Sequence, residues 1–172
     1  DVSIFVESAE IMGINLHKHG IRFVECSQAG GPRIFIKVAK AFNIKWHLVA
    51  DNDNRGQKYI DDAKKLLGVL NENDFISKLE SQNIDILLCY HGYGKPYRDG
   101  ITSKKSGELT EPVNSKPYWN QVYEIVNKLR GFSKPAAAME AILLIKEKGV
   151  NGIPLEIKDI FNKIIPTIGA VT

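Results

Sequence analysis

The apolar run Trp46-His47-Leu48-Val49-Ala50 leads straight into Asp51-Asn52-Asp53-Asn54-Arg55-Gly56, and this junction narrows the folds open to the chain. A short apolar run of this kind reads as a buried strand. Two carboxylates follow at alternate positions, and a glycine turns the backbone into a helix predicted over 57–67. Residues i and i+2 of a strand point the same way. Carboxylates held together at a strand tip repel one another unless a cation lies between them. A hard cation such as Mg²⁺, with oxygen ligands and several retained waters, suits that position.

The flanking pattern predicts a helix over 4–12 stopped at Gly13 and a strand over 21–26. A turn at Gln28-Ala29-Gly30-Gly31-Pro32 follows, and then a helix over 33–42 with Ile34, Val38, Ala41 and Phe42 on one face. The strand over 45–50 and the helix over 57–67 complete a strand–helix–strand–helix order, the signature of parallel crossovers. Functional groups in such sheets gather at the carboxyl ends of the strands, where Asp51 and Asp53 stand. Residues 75–80 alternate as a short strand. Residues 84–89 read either as a buried strand or as a short helix capped by Asn83. Residues 94–117 are rich in Gly, Pro, Ser, Thr and Lys and read as a long exposed basic loop. Helices are predicted over 118–130, 135–148 and 154–165, with starts at Ser133-Lys134-Pro135 and Pro154 and stops at Gly131 and Gly149. The expected organisation is an α/β core over 1–93, the loop over 94–117, and a helical extension over 118–172 packed on the core. The abrupt opening at Asp1 reads as a piece of a longer chain, with a strand upstream.

A chain of 172 residues with 44% apolar and 25% charged side chains builds one ordinary globular core. Its apolar stretches are too short to span a membrane, and Ser3, Glu7 and Glu10 interrupt any signal-peptide pattern. A net charge of +3 permits a nucleic-acid partner without requiring one. Cys26 and Cys89 read as buried free thiols, which fits a reducing cytoplasm. No Gly-x-x-x-x-Gly-Lys-Ser/Thr phosphate loop is present.

Other chemistries compete for the acidic junction. An EF-hand loop would need an oxygen ligand where Arg55 stands, and a helix rather than a strand before it. An aspartyl-phosphate phosphatase usually has Thr or Val where Arg55 stands. A plain solvated turn is open too, since Asp, Asn and Gly are turn formers. Asp85, following Asn83, would lie near the same sheet edge, or would be a helix cap or surface charge. Lys134 at a helix mouth sits against the dipole, which favours anions there; with the helix-start amides it suits a phosphate. His17, His19, His47 and His91 have no metal-binding i, i+4 spacing and read as non-ligands. Trp46 and Trp119 read as packing residues. The basic side chains Lys95, Arg98, Lys104, Lys105 and Lys116, interleaved with Tyr97 and Tyr118, form either a solvated loop or a phosphate-backbone contact surface.

Taken in order, these residues resemble the Toprim domain of the OLD (overcoming lysogenization defect) family nucleases. The resemblance is carried by Gly20-Ile21-Arg22-Phe23-Val24-Glu25-Cys26-Ser27-Gln28-Ala29-Gly30, by Ile44-Lys45-Trp46-His47-Leu48-Val49-Ala50-Asp51-Asn52-Asp53 and by Gly56-Gln57-Lys58-Tyr59. It resumes at Asn83-Ile84-Asp85, His91-Gly92-Tyr93, Ser133-Lys134-Pro135 and Gly152-Ile153-Pro154-Leu155. It implies a Toprim-like (Rossmann-like) four-stranded parallel sheet flanked by helices, with a carboxy-terminal helical extension and a helix at 84–90. It also implies Mg²⁺- or Mn²⁺-dependent cleavage of DNA in the cytoplasm, in the setting of phage defence. Asp51 and Asp53 would serve one metal, Asp85 a second, and Lys134 the reacting phosphate; the resemblance leaves out the 94–117 loop, where Lys95, Arg98, Lys104 and Lys105 are the candidate DNA contacts read from the residues themselves. Full-length relatives carry an amino-terminal ABC-type ATPase, through which alone ATP would act, and a dimerisation region; no membrane partner is implied. By alignment the family's strand-end glutamate falls just before Asp1 and a second near Ser3. This implies a weakly served second metal and, as the alternative, a catalytically degenerate module that docks DNA or a partner.

Overall fold

A computed structural model describes residues 2–101 and 103–165, the side chains of Ser103 and Lys104 excepted. Two strands, β1 (Leu48–Ala50) and β2 (Ile76–Lys78), pair in parallel with Leu48 opposite Ile76 and Ala50 opposite Lys78. The helix α3 (Asn54–Leu67) makes the crossover between them. Ahead of the sheet come α1 (Val2–Ile11) and α2 (Arg33–Ala41). After it come α4 (Ile84–Leu88), α5 (Lys95–Asp99), α6 (Ser103–Ser106), α7 (Lys116–Lys128), α8 (Lys134–Lys148) and α9 (Leu155–Ile164). The molecule is thus mixed α/β with a small parallel sheet.

Three apolar clusters among the described residues hold these elements. Ile36 of α2, Leu48 and Ala50 of β1, and Ile60 and Ala63 of α3 form the layer under the sheet. Ile4, Phe5 and Ala9 of α1 meet Ile84, Leu87 and Leu88 of α4, Ile142 and Ile145 of α8 and Ile157 and Phe161 of α9 in the largest cluster. Tyr97 and Ile101 pack with Tyr118, Trp119, Val122, Ile125 and Val126 of α7 in the third. The helical carboxy-terminal region therefore shares its core with α1 and α4.

Four expectations are corrected. Residues 21–26 form no ladder and so are not a strand. The chain there is nonetheless pinned by Phe23, whose ring stacks on Phe5 at 5.3 Å and meets Phe161 edge-on at 5.9 Å. The expected sheet of four strands has two among the described residues. The face Ile34, Val38, Phe42 of α2 is exposed (59%, 50% and 74%), because α3 packs on the opposite face through Ile36 and Ala39. Residues 94–117 are not simply an exposed loop, since they contain α5 and α6 and bury Tyr97 completely. The ambiguity at 84–89 resolves as helix: Asn83 caps α4 by accepting the Ile86 N–H at 3.0 Å. That helix widens into a π turn over Cys89–Tyr93 and breaks at Gly92, whose φ is 87°. No helix among the described residues is long and apolar enough to cross a membrane. Both cysteines are free: Cys89 is buried, which pushes its thiol up to about 12, and Cys26 is half-buried.

Candidate functional site

The acidic junction takes its shape from a close backbone approach. Asp53 is extended and caps α3, accepting the Gly56 N–H through Oδ1 at 2.6 Å. A Cβ placed on Gly56 would lie 1.9 Å from the carbonyl oxygen of Asp51. Only glycine lets the first turn of α3 sit so tightly on the strand end. Arg55, the residue that argued against an EF-hand, donates through Nε to the Tyr59 hydroxyl at 2.8 Å and through Nη2 to the Ser27 carbonyl at 3.1 Å. It ties α3 to the turn that follows residues 21–26. A strand precedes the junction, so the EF-hand reading falls.

Asn52 makes the second tie. Its N–H donates to the Gln82 carbonyl and its Nδ2 to the Glu80 carbonyl, both at 3.0 Å. The segment that leaves β2 is thereby held against the acidic turn, and α4 starts beside it with Asp85 in its first turn. Asp51 consequently sits half-buried within electrostatic reach of three other carboxylates. Burial first, then the charges of Asp53, Asp85 and Glu25, push its carboxyl up to about 6. A solvated turn would not do this, although Asp53, exposed and capping, behaves as a turn residue.

Asp85 is itself anchored. The hydroxyl of Tyr97, on α5, donates to Asp85 Oδ1 at 2.6 Å. Burial and then the Asp85 charge hold the Tyr97 phenol well above its usual range, so it remains a donor. One Asp85 oxygen is thus occupied by the Tyr97 hydroxyl.

Lys134 opens α8 behind Ser133, whose Oγ accepts the Ala136 N–H at 3.3 Å. Its ammonium donates to Asn127 Oδ1 at 3.1 Å and to the Tyr123 hydroxyl at 3.3 Å, and lies 5.3 Å from the Tyr123 ring centroid. Burial raises the Tyr123 phenol; Lys134 lowers it, and the charges of Asp85 and Asp51 add to the rise. The lysine, its tyrosine and the carboxylates therefore share one neighbourhood.

The hard-oxygen donor set and the uncompensated charge on Asp51 fit a divalent cation in kind. The spacing is open: among the described residues no group of three or more His, Cys, Asp or Glu side chains is gathered closely enough to hold an ion. The histidines stand apart, with His47 bonded to the Asp74 carbonyl at 3.1 Å and to Ser77 Oγ at 2.9 Å.

The expected DNA contacts fare unevenly. Lys95 is paired with Asp99. Arg98 donates to the Tyr118 hydroxyl at 3.0 Å. Tyr97 and Tyr118 are buried and offer no face for stacking on bases. Lys116 lies over the Tyr90 ring at 5.3 Å. Lys105 is half-buried on α6, and the Lys104 side chain lies outside the described residues. Sequence reasoning missed Glu25, Tyr97, Tyr123 and Asn127 as site residues. Glu25 could have been found, since it stands at the carboxyl end of a segment read as a strand, the rule that selected Asp51.

Residues 1–53 match the model of the family described as overcoming lysogenization defect protein-like, TOPRIM domain. The chain is also similar to the uncharacterized protein YbjD of Escherichia coli (strain K12), 26% identical over 164 residues, covering 92% of this chain. The chain spans 27% of the length of that relative. No solved structure matches it significantly.

Proposed function

We propose, for a chain whose residues 1–53 carry the Toprim signature of the OLD-like family, metal-dependent hydrolysis of DNA phosphodiesters. The observation that carries this reading is the crowding at Asp51, a half-buried carboxylate pushed up to about 6 by burial and by Asp53, Asp85 and Glu25. Such crowding destabilises the metal-free state and is relieved by a cation. Asp51 and Asp53 would hold one ion and Asp85, through the oxygen that Tyr97 does not engage, would help hold another. Bound Mg²⁺ or Mn²⁺ supplies charge stabilisation at the phosphoryl group and activates water.

The chain's own residues supply position and charge. Tyr97 fixes the orientation of Asp85. Lys134 meets the negative charge that builds on the phosphoryl oxygens. Lys104 and Lys105 remain proposed contacts to the DNA backbone, while Lys95 and Arg98 would first have to leave Asp99 and Tyr118. An ABC-type ATPase domain on the same parent chain, through which ATP would act, and a homo-oligomer formed outside this region belong to the same reading.

A second reading, a degenerate Toprim module that docks DNA or a partner, is favoured by the open spacing of the acidic side chains. Supercoiled plasmid incubated with the protein and Mg²⁺ or Mn²⁺ separates the two. Nicking that is lost in Asp51→Ala supports hydrolysis. Equal nicking by the variant overturns it, and equal DNA retention by both forms without nicking favours the docking module.

A further inference from the structure

Among the described residues several lysines pair with carboxylates: Lys64 with Glu72, Lys65 with Asp62, Lys95 with Asp99 and Lys146 with Glu7. Others donate to one neutral oxygen, as Lys78 does to Gln57 Oε1 and Lys40 to the Leu66 carbonyl, whereas Lys134 engages two neutral side chains. Its ammonium is held by two neutral acceptors, Asn127 Oδ1 at 3.1 Å and the Tyr123 hydroxyl at 3.3 Å, and no carboxylate lies within ion-pair distance among the described residues. Tyr123 and Asn127 are four residues apart on α7 and so present one face to the start of α8. Two of the three ammonium protons are engaged by them, and the third remains to be donated. Because no carboxylate pairs with it directly, the lysine keeps an attraction for an anion while its rotamers are restricted.

We infer that Tyr123 and Asn127 are positioning residues: a neutral cradle on α7 that holds Lys134 in place for a phosphodiester oxygen. This rests on the hydrolase reading for the identity of the anion. A carboxylate in either position would hold the lysine equally well and cancel its charge. The choice of amide and phenol is therefore what the cradle requires.

The decisive substitution is Asn127→Asp, which keeps the hydrogen-bond acceptor and adds the compensating charge; Asn127→Ala and Tyr123→Phe remove one acceptor each. Three measurements on the 172-residue protein suffice: the ¹⁵N ammonium signal of Lys134, binding of a fluorescein-labelled DNA duplex in Ca²⁺, and plasmid nicking in Mg²⁺ or Mn²⁺. Asn127→Asp is expected to keep a hydrogen-bonded ammonium signal while weakening duplex binding roughly tenfold, the scale of one charge-assisted contact. Asn127→Ala and Tyr123→Phe are expected to let the ammonium protons exchange freely and to lower kcat more than they raise KM. Unchanged duplex affinity in Asn127→Asp overturns the cradle, as does an unchanged ammonium signal in both acceptor deletions. A wild-type protein that binds duplex and never nicks sinks the hydrolase reading alone, since the signal and affinity arms still decide the cradle. No duplex binding at low salt removes both.

Discussion

Replacing Asp51 by asparagine removes a charge that its surroundings oppose. Burial and the neighbouring Asp53, Asp85 and Glu25 move its carboxyl from an ordinary 3.8 to about 6. At about 1.4 kcal/mol per pH unit the unscreened penalty on the ionised form is about 3 kcal/mol. Solvent reaches this half-buried group and screens the repulsion, so about 1–2 kcal/mol is the working value. The sign follows from proton counting. Between the ordinary and the raised value the folded state binds more protons than the unfolded one, so stability falls as pH rises through that window. Below about pH 4 both states are protonated and the penalty is absent; above about pH 6 it is fully present. Asp51→Asn should therefore stabilise the metal-free protein at about pH 8, raising Tm by roughly 4 °C for a chain of this size. It should leave Tm nearly unchanged at about pH 4. Thermal unfolding in EDTA at both pH values measures this directly. Mg²⁺ or Mn²⁺ should then raise the wild-type Tm at about pH 8 and leave the variant's where it was. A variant that is neutral or less stable at the higher pH, or equally shifted at both, refutes the idea that Asp51 is held against its own charge.

Asp53 separates two roles: Asp53→Asn should keep the cap on Gly56 and the stability yet lose the metal-induced rise in Tm, whereas Asp53→Ala should cost about 1 kcal/mol in urea unfolding as well. Gly56→Ala would drive a methyl group into the Asp51 carbonyl, and urea unfolding should show a loss of roughly 3 kcal/mol. Tyr97→Phe takes the donor from Asp85 while keeping the buried ring, so chemical denaturation should register a loss of about 1.5–3 kcal/mol, and calorimetry with Mn²⁺ a weaker heat.

Local chemistry made much of this structure legible in advance. The strand end at Ala50, the cap and glycine opening α3, and the starts of α8 and α9 follow from residues that act on their own backbone. The Asp51–Asp53 junction was visible because two acidic residues and a glycine follow an apolar run directly, although the strand ends at Ala50 and Asp53 is turned to cap α3. What was hidden depends on distant partners. Residues 21–26 alternate as a strand should, with Ile21 and Phe23 less exposed than Arg22 and Val24, yet a ladder needs a neighbour that alternation does not report. The polar and basic composition of 94–117 concealed Tyr97, because one aromatic side chain anchored on Asp85 can draw a hydrophilic segment inward. The cradle around Lys134 joins α7 to α8, and no spacing rule links Tyr123 to a residue beyond the turn.

Residues 22–26 join two opposed properties. The Phe23 ring is clamped between Phe5 and Phe161, while the amides of this stretch donate no backbone hydrogen bond among the described residues. Deuterium should thus enter the main chain here almost at once, even as the phenylalanine ring flips slowly. Glu25 rides on that stretch, two residues past the clamp, with its Oε1 accepting the Ser27 N–H at 2.9 Å, so the aromatic anchor on one side and this turn on the other together set its reach toward Asp51.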